Sequence, residues 1–479
     1  MNEENSMKSV FIKERQKYTK DELFQLFSLD EESWRVFHDT LGRKKILINT
    51  ASDDETDGFD LEEEETEDGV ERYLFKYVGI IIFQEWVIKC YPKYIDNLDN
   101  IIEKLKVVLQ VIRKDKENQN KLFLLDESDT DSNNRLSLIM GMLDDYYENG
   151  IYTNDTNIRE INGTGEIDWS RTVDYMIPII SNGSPIYVEL YTRKRIINDY
   201  DYFRRLHACI LTVCSNELEN LDLVDLLNVT TAELSEECIE DFGDSDYILY
   251  RIQNERSVQF NTRKILVLDY MELFIKQYYA TKNQNAMELF GTNSFHTVWE
   301  DVCAYVLDSQ LKRPIIELDI PNGLQERYKA YKNLLDIIEK PKWGKEKVKA
   351  SKTYKPDLIS LRKHDNEIDF IILDAKYYTV VIENNHVKGQ PGVDDIGKQF
   401  GYEIAYKKFL NAHNITSVKN CFLMPTDCDI VITDQGDVNF DMYEDLGLAR
   451  LQVRLLPAMV IYKKYLSGSL YDIENLELS

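Results

Sequence analysis

Residues 354–378 contain two short apolar runs, each next to an aspartate, and this pattern constrains the fold more than any other stretch. The first run follows Asp357, the second precedes Asp374, and the polar segment Lys363–Glu367 lies between them. Apolar runs separated by a polar turn are typical of a β-hairpin. The second run is continuously apolar, which predicts a central strand buried on both faces. Lys376 shares a strand face with Asp374, because side chains alternate with a period of two residues.

The charges on this hairpin need a partner, since unpaired buried charges cost several kcal/mol. A Mg²⁺ ion held by hard oxygen ligands would supply one, and it would also suit the hydrolysis of a phosphodiester. We therefore expect Asp357, Asp374 and the backbone carbonyl of Ala375 to be metal ligands. Lys376 would orient or deprotonate the attacking water with a pKa lowered by the cation, or offset charge on the phosphate. The alternative is a salt bridge between Asp357 and Lys376 at the sheet edge, which leaves Asp374 unexplained.

Charge is unevenly distributed along the chain. The net charge is −28, which argues against nonspecific nucleic-acid binding by the whole surface. Eleven acids lie between residues 53 and 68, and more follow in 126–131. The run from 340 to 355, immediately before the hairpin, instead carries seven lysines and the single acid Glu346. Such a run is either a solvated loop or a phosphate-contacting segment, and its position favours the second interpretation. The candidate DNA contacts in it are Lys345, Lys347, Lys349, Lys352 and Lys355.

Several functional classes find no support in the sequence. The seven cysteines show neither a pairing pattern nor zinc-ligand spacing, which suits free thiols in a reducing cytoplasm. Neither Gly-Lys pair (344–345 and 397–398) is followed by Ser or Thr, so no P-loop is predicted. The N-terminal residues form no apolar segment, and no signal peptide or membrane span is expected.

The length of 479 residues predicts several domains, and we divide the chain into four modules. Residues 1–70 predict a winged-helix-like module with an acidic loop, opened by the capping box Thr19–Glu22. Residues 71–200 predict a β-rich module, with extended segments that include Ile167–Asp174, and 201–285 a helical connector. Residues 286–479 predict an α/β (α+β) domain with a mixed sheet.

The helix predicted for Val393–Leu410 has two distinct faces. One face carries Asp395, Gln399, Tyr402 and Tyr406. The other carries Ile396, Phe400, Ile404 and Phe409, and we expect this apolar face to lie on the sheet.

The hairpin residues resemble the PD-(D/E)xK nuclease superfamily. More narrowly, the chain resembles the LlaJI family of restriction endonucleases, which is related to McrC, the nuclease subunit of the McrBC system. The resemblance is carried by Phe295–Glu300, Lys355–Leu358, Leu373–Tyr378, Pro391–Ile396, Lys398 and Gln399. It is sharpest beyond residue 290 and implies a restriction-endonuclease-like fold for the C-terminal domain.

The resemblance also implies functional residues and partners. Asp357, Asp374 and Lys376 would be the catalytic set, with Glu300 as an upstream acid that helical periodicity alone leaves as an ordinary surface glutamate. Mg²⁺ would be the cofactor, with Mn²⁺ able to substitute, double-stranded DNA the substrate, and a separate McrB-like AAA+ GTPase the partner. Gln399 and Tyr402 are candidates for contacting DNA or a ligated carboxylate. Relatives often carry Gln-x-x-x-Tyr, whereas tyrosines here follow Gln399 at +3 and +7.

Three functions remain open at this stage. The first is a cytoplasmic, Mg²⁺-dependent DNA endonuclease subunit of a restriction system directed against foreign DNA. The second is a self-sufficient, sequence-specific type II restriction endonuclease that reads DNA with its N-terminal helices. The third is a non-catalytic adaptor that regulates an AAA+ GTPase.

Overall fold

The computed structural model describes residues 7–50, 71–119, 135–197, 200–280, 287–320, 323–364, 367–383, 386–432 and 436–479. The acidic segments 53–68 and 126–131 lie outside these residues. The described chain forms two compact units, one of residues 135–288 and one that combines 8–119 with 289–479. The units group the chain differently from the four predicted modules, whose boundaries stay a prediction.

The N-terminal segment of the second unit contains two helices with short strands both before and after them, and its winged-helix-like character stays a prediction. Its elements are β1 (Lys8–Lys13), β2 (Lys17–Thr19), α1 (Lys20–Phe27), α2 (Glu31–Arg43), β3 (Leu47–Asn49), β4 (Arg72–Phe75), β5 (Val78–Phe83), β6 (Trp86–Tyr91) and α3 (Ile101–Gln119). The predicted capping box opens α1: the Glu22 N–H donates to the Thr19 hydroxyl, and the Thr19 N–H donates to the Glu22 carboxylate. Strands β2, β4 and β3 form a three-stranded antiparallel sheet.

The unit of residues 135–288 begins with one helix, continues with a small β-rich segment and is mainly helical after it. Its elements are α4 (Arg135–Asn149), β7 (Asp155–Ile161), β8 (Glu166–Ile167), α5 (Trp169–Tyr175), β9 (Ile179–Ser181), β10 (Ser184–Ile186), β11 (Tyr191–Ile197), α6 (Tyr202–Asn220), α7 (Val224–Leu227), α8 (Ser245–Val258) and α9 (Thr262–Ala280). The extended conformation expected for Ile167–Asp174 is wrong, because the Asp168 carboxylate accepts from the Arg171 N–H and starts helix α5 there. The helical character expected between 202 and 280 is confirmed.

The remaining elements carry the predicted hairpin and its sheet. They are β12 (Glu288–Thr292), α10 (Phe295–Val306), β13 (Lys342–Trp343), β14 (Val348–Lys349), β15 (Leu358–His364), β16 (Glu367–Ala375), β17 (Val381–Glu383), β18 (His386–Lys388), α11 (Val393–Ala412), β19 (Ser417–Thr426), β20 (Asp437–Val438), α12 (Asp441–Glu444), β21 (Leu451–Pro457) and α13 (Ala458–Leu466). The chain is thus a mixed α/β, multi-domain protein, as expected.

The hairpin lies in a five-stranded mixed sheet of order β15-β16-β19-β21-β20. Strand β16 is an internal strand, antiparallel to β15 and parallel to β19, and its last six residues are buried. The central, doubly covered strand predicted from its apolar run is therefore confirmed. The antiparallel hairpin and the parallel crossover bring the end of β16 beside the start of β15, which creates one edge where polar groups can meet.

The N-terminal segment packs into the same unit as this sheet. Strands β1, β6, β5 and β12 form one sheet, so β12 continues a sheet begun far earlier in the chain. At their contact, Gly79 and Gly291 both have positive φ, and a Cβ built on either would lie 2.2 Å from a backbone oxygen of the opposite strand. Only glycine allows that approach. Helix α3 adds a further link, because Lys114 donates from Nζ to the Tyr465 carbonyl on α13 at 2.6 Å.

Helix α11 buries residues of both faces, so the apolar face expected on the sheet is only part of its buried surface. Gln399, Tyr402 and Tyr406 are buried, whereas Ile404 is 46% exposed. The apolar residues Phe400 and Phe409 are also buried, so the buried surface of the helix is wider than one apolar stripe. Polar side chains face the sheet here because they have partners there, which hydrophobic periodicity does not detect.

No helix in the described part of the chain is both long enough and apolar enough to cross a membrane.

We predict that acid weakens the helical unit through His207, a buried histidine on α6. Its Nδ1 accepts from the Tyr152 N–H at 3.0 Å, and burial lowers its pKa from 6.5 to about 4. Between these values the unfolded chain binds a proton that the folded chain does not bind, so stability present above pH 6.5 is lost as pH falls toward 4. The full loss is about 3 kcal/mol.

Urea unfolding of the full chain between pH 7 and pH 4, followed by circular dichroism, measures this slope. His207→Gln should flatten it, while the control His38→Gln, at a half-buried histidine on α2, should leave it as in the wild type. Equal slopes for wild type and His207→Gln would contradict the prediction.

Candidate active site

The register of the hairpin brings Asp357 and Asp374 together. Leu358 pairs with Leu373 in the antiparallel ladder, so the next position on each strand places the two aspartates opposite one another. The Ala375 N–H donates to Oδ2 of Asp357 at 3.1 Å, which fixes that carboxylate against the end of β16. Asp374 is buried and Asp357 is half-buried. Two carboxylates therefore share one sheet edge that is largely shielded from water.

Helix α10 adds Glu300 to this pair. The neighbouring residue Trp299 is completely buried and donates from Nε1 to the Leu423 carbonyl on β19 at 3.2 Å. Leu423 is paired with Ala375, so this hydrogen bond holds α10 over the end of β16. Burial and the carboxylate of Asp374 raise the pKa of Glu300 to about 7. The structure thus brings Glu300 to the site, instead of leaving it as an ordinary surface residue.

The three acids repel one another in this arrangement. Burial raises the pKa of Asp357 well above its ordinary value, and the carboxylates of Asp374, which is hydrogen-bonded to it, and Glu300 raise it further. Lys376 offsets only part of this effect. Such a group of buried, mutually repelling carboxylates is stabilised by positive charge brought among them.

Lys376 supplies one positive charge. Its Nζ lies 2.9 Å from Oδ2 of Asp374 and 3.5 Å from Oδ1 of Asp395, and the latter carboxylate also pairs with Lys398 at 3.2 Å. Burial alone would lower the pKa of Lys376, but Asp374 and Asp395 together raise it above its ordinary value. These two acids therefore hold the lysine protonated, and the lowering of its pKa by a bound cation stays a prediction. The ion pair joins Lys376 to Asp374, not to Asp357 as in the salt-bridge alternative.

Helix α11 brings two predicted residues to the sheet in different ways. Gln399 has no exposed surface and donates from Nε2 to Oδ1 of Asn420 on β19 at 2.6 Å, and its contact with DNA or a ligated carboxylate stays a prediction. Tyr402 lies nearer the acids. Burial raises its pKa, and the charges of Asp374, Asp357 and Asp395 raise it further. Its ring makes an edge contact with Tyr354 at 5.9 Å between centroids.

All five predicted DNA-contact lysines are exposed, namely Lys345, Lys347, Lys349, Lys352 and Lys355. Lys355 also acts electrostatically on Glu300, which places it beside the acids. The others belong to or flank the small hairpin β13-β14. They are available to a polyanion, and their contact with DNA stays a prediction.

Sequence reasoning missed two groups of residues at the site. Asp395 was noted on one face of α11 but not as the partner of Lys376, although its spacing from Gln399 was a usable signal. Glu14, whose carboxylate accepts from the Tyr377 hydroxyl, gave no signal at all, because 363 residues separate the two. The Lys93 N–H lies 3.3 Å from the same Glu14 oxygen, and its ammonium group lies over the Tyr377 ring at 4.7 Å.

The donor set fits a hard divalent cation. Within the described residues, no group of three or more His, Cys, Asp or Glu side chains is already arranged around one point as metal ligands. The acids at this sheet edge are the buried Asp374 with the half-buried Asp357 and Glu300 beside it, and they offer only carboxylate oxygens. Oxygen donors of this kind suit Mg²⁺ and Mn²⁺ rather than a zinc site built from cysteine or histidine.

These features define the chain as an α/β protein with an acid-rich site at a sheet edge, and sequence comparison gives its family. The profile of the LlaJI restriction endonuclease family matches residues 77–461, and the chain belongs to that family. It is similar to the type II restriction enzyme BsuMI component YdjA of Bacillus subtilis (strain 168), with 27% identity over 422 residues. That alignment covers 86% of this chain and 84% of the relative.

Two solved structures with weaker likeness come from Thermococcus gammatolerans. A half-complex of McrB AAA+ hexamers with bound McrC aligns with a TM-score of 0.38 and 10% identity, over 96% of this chain and 99% of that chain. The McrBC complex determined by cryo-electron microscopy aligns with a TM-score of 0.21 and 12% identity, over 57% and 87%. With TM-scores below 0.5, these likenesses establish neither a shared fold nor a shared activity.

We predict that Asp357→Asn stabilises the chain in metal-chelating buffer at neutral pH. An asparagine oxygen can still accept from the Ala375 N–H, but the repulsion from Asp374 and Glu300 is removed. Because the folded pKa of Asp357 lies above its unfolded value, its ionisation lowers stability as pH rises above about 4, and the variant should lose this slope. A gain of about 1–2 kcal/mol in the free energy of unfolding is expected.

The control is Asp369→Asn, on the neighbouring strand β16 of the same sheet. Asp369 pairs with Lys419 at 3.0 Å, so its neutralisation should lower stability or leave it unchanged. Denaturant unfolding in EDTA at pH 5 and pH 8 distinguishes the two variants. If Asp357→Asn proved less stable than wild type at both values, mutual repulsion would not be the dominant interaction at this edge.

Proposed function

We propose that this chain is a Mg²⁺-dependent DNA endonuclease subunit of a restriction system, with a PD-(D/E)xK type of active site. The observation that carries the proposal is the convergence of Asp357, Asp374, Glu300 and Lys376 at one sheet edge of a restriction-endonuclease family member. Three acids and a lysine at the ends of paired strands are the chemistry that metal-assisted phosphodiester hydrolysis requires.

The acids would hold the cation. Asp357 and Asp374 face one another across the hairpin and would be its main ligands, with the Ala375 carbonyl and Glu300 as further candidates. A bound Mg²⁺ would neutralise charge on the phosphate and lower the pKa of a coordinated water. Mn²⁺, with similar ligand preferences, should substitute for it.

Lys376 would act as a charge and a hydrogen-bond donor. Asp374 and Asp395 hold it protonated and fix its ammonium group beside the acids. In that state it would offset negative charge on the phosphate and orient the attacking water, instead of taking its proton. Tyr402, close to the same carboxylates, is placed to complete the wall of the site.

The proposed partners are inferred from the family of the chain and from the charge of its lysine run. The exposed lysines of 340–355 would contact double-stranded DNA, and the relative in Bacillus subtilis bears the name of a component of a type II restriction enzyme. A component acts with other proteins, and the family resemblance points to an McrB-like AAA+ GTPase for this chain. The cytoplasm, where foreign DNA would be met, is the expected compartment.

The central prediction is that DNA cleavage depends on this site. Asp374→Ala and Lys376→Ala should each lower the cleavage rate by roughly a thousandfold or more, since each removes a group acting on the phosphate or its metal. Cleavage of plasmid DNA with Mg²⁺ or Mn²⁺ measures this, with and without the product of a neighbouring GTPase gene. Asp369→Ala and Lys419→Ala remove an Asp–Lys pair of similar length elsewhere in the same sheet and should cut normally.

Metal binding gives an independent readout. Mn²⁺ should raise the melting temperature of wild type but not of Asp374→Ala, whether or not DNA is present. Undiminished cleavage by Asp374→Ala and Lys376→Ala would contradict the proposed nuclease function. Stimulation of a partner GTPase by the cleavage-deficient variants separates docking from cutting, and would favour the adaptor function if wild type also fails to cut. Cleavage by the chain alone at a defined sequence would favour the self-sufficient enzyme.

A further inference from the structure

The lysine run forms a small two-stranded hairpin, here called the lysine hairpin (residues 340–355). Trp343 in β13 pairs with Val348 in β14, and a turn with positive φ at Gly344 and Lys347 joins the strands. At the base, the Ala350 N–H donates to the Pro341 carbonyl at 2.7 Å. The Thr353 hydroxyl also donates to the Glu339 carbonyl at 2.9 Å.

The hairpin exposes an apolar pair where a surface hairpin would ordinarily be polar. Trp343 is 71% exposed and Val348 is 63% exposed. Residues paired directly across two strands point to the same face, so the two side chains form one apolar surface. Two strands of two residues each, with no third strand beside them in the described chain, are marginal on their own. Both features point to a partner that covers this face.

The charge of the hairpin indicates what that partner is. Seven lysines and one glutamate give it a charge of +6 in a chain whose net charge is −28. Among the described residues, none of these lysines forms an ion pair with an acid of the chain within 4.0 Å. The hairpin therefore presents a cationic surface with an apolar centre, which complements a ligand with an anionic exterior and stacked apolar rings inside.

The base of the hairpin is tied to the candidate active site. Tyr354 packs edge-on against Tyr402, and a Cβ added to Gly401 would touch the Tyr354 ring at 3.4 Å. Asp357 lies seven residues after Ala350. The shortest path between Trp343 and Asp357 runs two residues back to Pro341, across the hydrogen bond to Ala350, and on to Asp357. At full extension this path limits the distance between Trp343 and Asp357 to about 35 Å, which is one turn of B-DNA.

We propose that Trp343, supported by Val348, is a wedge that inserts between base pairs of duplex DNA within one helical turn of the cleaved phosphate. The flanking lysines neutralise phosphates on either side of the inserted ring. Insertion unstacks a base step and bends the duplex, as apolar wedges of other DNA-binding proteins do. The identity of the ligand rests on the proposed nuclease function, but wedge insertion requires only DNA binding and can be measured without cleavage.

The test uses the full chain in EDTA, with a duplex that carries 2-aminopurine at successive positions. Wild type should raise 2-aminopurine fluorescence at one step, because unstacking relieves quenching. Trp343→Ala should abolish that rise and weaken binding about tenfold, and Trp343→Phe should restore part of both. Trp169→Ala, which removes another exposed tryptophan, at 56% exposure, is the matched control and should behave as wild type.

The lysines have a separate signature. Replacement of Lys345, Lys347 and Lys349 by serine should reduce the slope of log K against log salt by about 2–3, one unit for each lost phosphate contact. Lys312, Lys463 and Lys464 are also exposed, and their triple replacement should leave the slope unchanged. Trp343→Ala should likewise keep the wild-type slope, because a neutral ring releases no counterions.

Three results would overturn the wedge proposal. The first is unaltered fluorescence and affinity in Trp343→Ala, and the second is no binding of duplex DNA by wild type. The third is Trp343-dependent binding of polyglutamate that is tighter than binding of the duplex. The outcome is distinguishable from that of the nuclease proposal. DNA cleavage without any Trp343-dependent distortion would contradict the wedge proposal and support the nuclease proposal. Trp343-dependent distortion of the duplex without any Mg²⁺-dependent cleavage would support the wedge proposal and contradict the nuclease proposal.

Discussion

The pairing of β15 with β16 sets two like-charged carboxylates side by side at a shielded sheet edge, and the rest of the second unit is arranged around that constraint. In a low-dielectric setting this repulsion is strong, and it is offset only by cations brought close to it. Lys376 is one such cation, held between Asp374 and Asp395. Stability alone would favour replacing an aspartate, so the presence of both carboxylates is consistent with the proposed metal-binding chemistry.

Support for Lys376 comes from the opposite end of the chain. The next residue, Tyr377, donates its hydroxyl to Glu14, whose oxygen also lies 3.3 Å from the Lys93 N–H. Burial lowers the pKa of the Lys93 ammonium to about 8, and the nearby carboxylate of Glu14 opposes that shift. Since the backbone of Tyr377 continues directly from Lys376, this buried network restricts where the lysine can lie. The N-terminal segment is thus part of the frame of the candidate site and not only an appended module.

Local patterns in the sequence were sufficient for much of the fold. Apolar runs around a polar turn predict the hairpin, and the capping box locates the start of α1 to the residue. The error at Ile167–Asp174 is local, because the cap at Asp168 starts a helix there. The error on α11 involves a partner distant in sequence: Gln399 packs toward the sheet and donates to Asn420, so the polar face is buried together with part of the apolar face. Pairing of β5 with β12 likewise joins segments some two hundred residues apart, and no local signal encodes it.

The acidic balance of the chain and its proposed attraction to DNA are compatible only at short range. At physiological salt, charges more than about 8 Å from a phosphate are largely screened, so most of the −28 net charge acts weakly on a bound duplex. In the proposed complex the lysine hairpin would contact phosphates directly, and the carboxylates of the site would meet the phosphate only with a metal ion between them. At longer range the field of the protein is repulsive and cannot steer DNA toward it. A nuclease with this charge distribution would bind DNA more readily if a partner brought the DNA to it, and this is the role expected of the proposed motor subunit.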